Sequence, residues 1–372
     1  MRSEENMITK DNSKSGDNLI EYKPKQPILK EMGSIKRLGI YFFYDADGIV
    51  DDYVYYYLES LRPFCQELCA VINGKILEEG KNGLESRCDQ LIIRENIGFD
   101  SWAYKEAIES YGYDYIASNF DELLLNNYTN FGPIYPFSEM FDVMDKKQCD
   151  FWGHNRYIGH DDYIADSKII DHLQSYFISF RKSILQSSSF KEYWETLLIP
   201  ESYEQAIAYH ELRCTQYFES RGFVSAAYMP WKDYEKFLTN APVFFAYSQL
   251  TKDRSPLLKR KVFFVKEGQF EFPLLETHSV YNLIEFINSF TDYDTKLILQ
   301  NIERVCNLNS QTSKPNLSFF RRVLLHWIYW LLPSRRVGCA IRLNTPFCRD
   351  KFIGLLQNGS NSINIPNKGG MV

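Results

Sequence analysis

An excess of basic side chains is the first thing missing from this sequence. Its 48 acidic residues outnumber 42 lysines and arginines, leaving a formal net charge of −6 over 372 residues. Nucleic-acid phosphates call for a basic surface, so no nucleic-acid partner is expected. Also missing is an apolar run of signal-peptide length in the polar stretch from Met1 to Lys36, which directs the reading to the cytoplasm. Metal-binding cysteine patterns are lacking too. Of eight cysteines, Cys65 and Cys69 stand close together, but no second pair or histidine cluster completes a tetrahedral site. Reduced thiols follow. No repeat at solenoid periods occurs.

What is present is apolar and aromatic mass: 45% hydrophobic residues, with 26 Tyr, 27 Phe and 6 Trp. That is enough for a sizeable core, and the rings also offer flat amphipathic platforms of the kind that receive sugars. Residues 1–36 read as a disordered leader, because their polar composition cannot offset chain entropy. From Arg37 to Val265 short apolar runs alternate with helical patterns. Strands are expected at Leu38 to Tyr44, Leu68 to Ile72, Gln90 to Ile93, Glu122 to Leu125, Cys149 to Gly153 and Leu173 to Phe180. Helices are expected through Tyr53, Tyr57 and Leu61, and over Ser101 to Ser110, Ser183 to Leu197 and Tyr203 to Arg221. The order implies an α/β domain with a mostly parallel sheet and right-handed crossovers, whose ligands lie beyond the carboxyl ends of the strands. A helical appendage over 266–310, an amphipathic helix over 311–336 and a tail over 337–372 complete the expected organisation.

Polar clusters stand at those strand ends: Asp45 and Asp47 after the first, Asn73 and Gly74 after the second, Asn126 and Asn127 after the fourth. The sharpest is LIIRENIGFD, Leu91 to Asp100, where a strand delivers Arg94, Glu95 and Asn96 to a glycine turn before a helix N-terminus. Backbone donors and a fixed cation there suit a diphosphate, although an ordinary strand-to-helix turn reads the same way.

Several motifs in order carry a family resemblance: YDADGIVDDYV (Tyr44 to Val54), Asn73-Gly74, RENIGFDSWAYK (Arg94 to Lys105), NYTNFGP (Asn127 to Pro133), CDFWG (Cys149 to Gly153), HLQSYFISFRKSIL (His172 to Leu185) and SPLLKRKVF (Ser255 to Phe263). Together they resemble the rhamnan synthesis F family of bacterial glycosyltransferases, over residues 37–265. The resemblance implies a GT-A-like fold, and an inverting transfer of L-rhamnose from dTDP-rhamnose to a growing cell-surface polysaccharide. It implies Glu211 as the catalytic base, with His210 in place of an acidic neighbour. It implies a nucleotide-sugar site drawn from Asp45, Asn73, Arg94, Asn96, Asp100, Asn126, Asn127 and His172. The Asp-x-Asp that usually holds Mg²⁺ or Mn²⁺ in GT-A enzymes falls on Asn126, Asn127 and Tyr128, with Tyr128 replacing the acid of the family pattern; no metal is therefore assigned with certainty.

Asn316 to Arg336 joins aromatic and aliphatic residues to arginine pairs at both ends, and its uninterrupted apolar part, about ten residues, is too short to span a bilayer. It is expected to lie in the inner-membrane interface, where a lipid-linked saccharide acceptor would be met. A helix packed on the domain is the bland alternative. Two other functions remain open: a non-catalytic sugar-binding or scaffolding module that has lost its metal acids, and a metal-dependent phosphotransferase or nuclease, which would need carboxylates at several strand ends.

Overall fold

The computed structural model describes residues 35–230, 232–234, 243, 246–264 and 280–312. The leader, the membrane-interface helix expected at 316–336 and the tail lie outside the described residues.

The centre is an eight-stranded sheet. Strand β1 (Arg37–Tyr44) pairs in parallel with β2 (Glu67–Asn73) on one side and β4 (Glu122–Asn127) on the other, and β3 (Gln90–Arg94) extends it beyond β2. Past β4 the sheet turns mixed. After the two-residue strand β5 (Asn130–Phe131) come β6 (Phe151–Tyr157), a small hairpin of β7 (Tyr163–Ile164) and β8 (Ser167–Lys168), then β9 (His172–Leu173) and β10 (Phe177–Arg181). Strand β10 inserts antiparallel between β4 and β6, β11 (Ser225–Met229) closes the edge parallel to β6, and β9 pairs with β6 off the main path. The mostly parallel α/β layer expected from the alternation is present.

Period-two alternation in β1 explains why both faces are covered. Leu38, Ile40 and Phe42 pack against Tyr104, Ala107 and Ile108 of α3 (Phe99–Tyr111). Tyr41 and Phe43 face the other way; the Tyr41 ring meets Tyr57 of α1 (Asp52–Leu61) at 5.2 Å. Each such fully buried side chain contributes about 1.5–3 kcal/mol. At the amino edge of the sheet, Glu122, 2% exposed, is clamped by Arg37 at 2.6 Å and Arg181 at 3.0 Å, and Arg37 also pairs with Asp145.

Three expected elements are interrupted, each for a local reason. The strand expected over Leu173 to Phe180 breaks between β9 and β10, where the amide of Gln174 turns to donate to the Asn155 carbonyl and that of Ser175 to Glu211. The helix expected over Ser183 to Leu197 restarts at Ser187, whose hydroxyl accepts from the Phe190 amide at 3.3 Å and caps the second piece, Ser188–Glu195. The helix expected over Tyr203 to Arg221 contains a π-helical segment, Ile207–Leu212, between Tyr203–Ala206 and Arg213–Glu219. Such wide turns recur at functional sites. Beyond residue 265 the described residues form two helices, Val280–Phe290 and Lys296–Thr312, joined by a short non-helical link, and the second packs on α1.

Candidate active site

The carboxyl ends of β2 and β3 hold a closed network. The Arg94 guanidinium donates to Asn73 Oδ1 at 2.5 Å and to the Ile97 carbonyl at 2.9 Å, and its other nitrogens grip Glu106 at 2.5 and 2.8 Å. Asn73 Nδ2 in turn donates to Asn96 Oδ1 at 3.3 Å. This cation is committed to shaping the turn, which needs Gly98: at φ +71° it precedes the helix, and a Cβ there would lie 2.4 Å from Trp102 Cβ. The first turn of α3 carries its own carboxylate, Asp100, which accepts from the Ser101 amide at 2.9 Å. Arg94, Asn73 and Asn96 thus stand together in one hydrogen-bonded network, and Asp100 is the member of that motif that bonds onward to β4.

Asp100 leads to the end of β4. Its Oδ2 accepts from Asn127 Nδ2 at 2.9 Å; Asn127 Oδ1 accepts from the Thr129 hydroxyl at 2.6 Å; and Thr129 Oγ1 accepts from Lys259 Nζ at 2.8 Å. A chain of hydrogen bonds therefore joins an acid to an ammonium through a neutral amide. Asn126, on the opposite face of the strand, turns away and donates to the Ile40 carbonyl at 3.2 Å. Burial raises the Asp100 carboxyl, offset in part by the Asn127 hydrogen bond and raised further by the nearby Glu211 charge.

Lys259 reaches this place through local geometry. Strand β12 (Leu258–Lys259) pairs antiparallel with β5, setting Lys259 opposite Asn130, and the Ile134 amide donates to the Pro256 carbonyl at 2.8 Å. Gly132 permits that approach: at φ +144° a Cβ would come within 2.4 Å of the Pro256 oxygen. The ammonium lies 3.7 Å from the centre of the Tyr176 ring. A cavity of about 10 Å³ behind it, lined in part by Tyr247 and Leu250, has room for at most one water. Burial pulls the Lys259 pKa down to about 7 against the opposing charges of Glu211 and Asp100, with Lys261 adding to the fall.

Glu211 projects from the π-helical segment. Its Oε2 accepts from the Ser175 amide at 3.0 Å and hydroxyl at 2.7 Å, while Oε1 lies 3.5 Å from His172 Nε2, at the outer limit of a hydrogen bond. Glu211 is 20% exposed and His172 only 3%. The His172 ring bonds the Ile170 carbonyl through Nδ1 at 2.6 Å and stacks on Tyr157 at 5.1 Å, so it orients Glu211 and is not itself presented to a ligand. Burial alone would raise Glu211, but hydrogen bonding from His172 and Ser175 and the His172 charge outweigh it and hold the carboxyl at about 2. Neighbouring His210 is enclosed, with Nδ1 2.7 Å from the Tyr193 hydroxyl, and burial lowers it to about 4.

Asp45 stands apart at the end of β1. It accepts from the amides of Asp47 and Ile49 at 2.9 and 3.1 Å and pairs with Arg304 of the Lys296–Thr312 helix at 2.7 Å. Arg304 also grips Asp51 at 2.6 Å, and Asn301 of that helix donates to Asp51 at 2.6 Å.

Sequence reasoning assigned no role to Lys259, Ser175 or Thr129. Lys259 lies in the SPLLKRKVF motif and in the Lys259-Arg260-Lys261 triplet, but its destination depends on the β5–β12 pairing. A groove of about 630 Å³ runs beside the π-helical segment, lined by residues including Lys168, Tyr209 and Arg213; Glu211 does not line it.

The donor set at the end of β4 does not suit a divalent cation. Asn126 is turned inward, the Asn127 oxygen is taken by Thr129, and Tyr128 brings no acid. Among the described residues no group of three or more His, Cys, Asp or Glu could hold a metal ion. A hard dication needs free carboxylate oxygens; β4 itself brings none, and both oxygens of Asp100, which reaches this end from α3, are taken by the Ser101 amide and Asn127.

The family model of rhamnan synthesis protein F matches residues 68–336, well over half of the chain. The chain belongs to that family. The described domain carries a mixed, mostly parallel sheet flanked by helices. An uncharacterized protein, y4gN of Sinorhizobium fredii, is 27% identical over 196 residues, which are 52% of this chain and 49% of that protein. The chain thus spans about half the length of this curated relative. Among solved structures, the inositol-1-phosphate CTP transferase of T. maritima aligns with a TM-score of 0.33 at 9% identity, covering 53% of this chain and 86% of that one. Core-mannan synthase A of Aspergillus fumigatus, solved in a Mn/GDP form, aligns with a TM-score of 0.31 at 10% identity, covering 53% and 71%.

Proposed function

We propose that the protein is an inverting rhamnosyltransferase that takes L-rhamnose from dTDP-rhamnose and extends a cell-surface polysaccharide. The observation that carries the reading is Glu211: a partly open carboxylate, oriented by Ser175 and His172, on a π-helical turn beside Asp100 and Lys259. In the transfer, an acceptor hydroxyl oxygen forms its bond to the anomeric carbon as the bond from that carbon to the diphosphate oxygen breaks. The hydroxyl proton passes to Glu211 and the nucleoside diphosphate leaves with the electron pair. A β-linked donor then gives an α-linked product. In this reading Asp100 and Asn127 bind a hydroxyl of the donor sugar or ribose, and the enclosed His172 acts through Glu211.

Incubating the purified chain with dTDP-rhamnose, UDP-glucose and GDP-mannose and following nucleoside diphosphate release tests the donor. Release from dTDP-rhamnose at the highest kcat/KM is expected; preference for another donor rejects the sugar assignment and leaves the transferase reading standing. The non-catalytic alternative draws support from the missing metal acids, and it requires binding with no release from any donor.

The acceptor is a lipid-linked saccharide on the inner face of the cytoplasmic membrane, and residues 316–336 hold the enzyme there. Each arginine of the pairs at 321–322 and 335–336 adds roughly 1 kcal/mol near anionic lipid. The full chain should co-sediment with anionic liposomes, less so in high salt, and a truncation ending near Ser313 should not. Equal retention of both forms in the supernatant, with the truncation unfolding at lower temperature, makes that segment part of the domain's packing instead.

A further inference from the structure

We infer that this enzyme binds the donor diphosphate without a divalent cation, with the ammonium of Lys259 supplying the positive charge at the end of β4. The inference rests on the transferase reading above and adds the means by which its donor is held.

The place and the charge come from separate observations. At the strand end where a metal would be gripped, the two amides are turned to protein partners and no acid follows. Three residues beyond the end of β4, the β5–β12 pair sets Lys259 opposite Asn130, with its Nζ 2.8 Å from Thr129 Oγ1. Among the described residues one hydrogen bond holds the ammonium there, to Thr129, which leaves other N–H donors for phosphate oxygens. Arg260, next in sequence, donates to the Tyr128 carbonyl at 3.3 Å and to Asn301 Oδ1 at 3.0 and 3.2 Å, which fixes the backbone on which the site is built. The cluster is also electrically unfinished. Asp100 from α3, Glu211 from the π-helical segment and Lys261 from the turn after β12 are the charges that act on Lys259, and burial still leaves it reluctant to stay protonated in the free protein. An incoming diphosphate adds negative charge beside that group, favours the ammonium and repels the two carboxylates. The donor therefore draws a proton onto Lys259 as it binds, and Lys259 meets the charge that grows on the leaving diphosphate during transfer.

The test is calorimetric binding of dTDP-rhamnose, UDP-glucose and GDP-mannose to the full chain in EDTA, in Mg²⁺ and in Mn²⁺. The donor that binds should do so in EDTA within about threefold of its affinity with metal. Lys259→Met should weaken it about 10- to 100-fold, the worth of a hydrogen bond to a charged group, and Lys259→Arg should restore most of the loss. If Lys259→Met fails to fold, the wild-type chain decides: a nucleotide sugar exchanges no proton near neutrality, so proton uptake on binding and weaker affinity as pH rises through about 7 are expected. Binding only with Mg²⁺ or Mn²⁺, an unchanged affinity in folded Lys259→Met, or a pH-independent affinity overturns the inference and leaves the transferase reading intact. Failure of every donor to bind, with or without metal, overturns both.

Discussion

Glu211→Gln is expected to lower turnover by a factor on the order of 10² to 10⁴ while donor affinity and melting temperature change little. The amide keeps an oxygen to accept from Ser175 and a shape close to the carboxylate, but it cannot take a proton. A carboxyl held at about 2 is a weak base in the free protein. In the proposed transfer it would suffice, because the acceptor hydroxyl becomes strongly acidic as its oxygen bonds to the anomeric carbon and the proton moves late in the step. Glu211 is ionised throughout the working range, so any acid limb of kcat/KM near neutrality must come from another group. Its folded value lies below the unfolded value near 4.3, so its contribution to stability is complete above that value and is lost as pH falls through about 2. Steady-state kinetics of both forms check the prediction, and unchanged kcat in the variant removes Glu211 from the mechanism.

Glu122→Gln should produce the largest loss of stability. Glu122 is buried between Arg37 and Arg181 at the amino edge of the sheet, opposite the ends that build the site. Removing its charge leaves Arg37 with only the half-buried Asp145, and a buried cation that loses its main partner costs about 3–5 kcal/mol. Chemical denaturation reads the loss as a lower midpoint, and turnover per folded molecule should be unchanged. A shift of less than about 1 kcal/mol would show that Asp145 alone compensates Arg37.

The sheet was legible because strand periodicity and burial speak the same language. β1 alternates between two covered faces, and β2, β3 and β4 are short apolar runs ending in polar residues. Where one side chain redirects the backbone, pattern reading ran out. The amides of Gln174 and Ser175 are drawn to Asn155 and Glu211, which splits one expected strand. The π-helical turn around Glu211 leaves no trace in hydrophobic spacing. The site divides along the same line. Asp100, Asn127, His172 and Glu211 come together, and each stood at an element end or on a helix visible in the sequence. Arg94 reads as a free cation beside a glycine turn until Glu106, twelve residues on, is seen to close on it. Asp45 reads as an open acid until Arg304, far along the chain, reaches it. Lys259 is the converse: nothing local says that a two-residue strand will carry it to the end of β4. Long-range pairing decides all three, and single-sequence periodicity carries no information about it.

The stereochemistry of the transferred sugar tests glycosyl transfer at Glu211 most directly. Proton NMR during turnover of β-linked dTDP-rhamnose should show the anomeric signal of an α-linked product appearing with the wild-type chain and suppressed at least a hundredfold with Glu211→Gln. A β-linked product, or an α-linked product formed at the same rate by the variant, would contradict direct displacement assisted by this carboxylate.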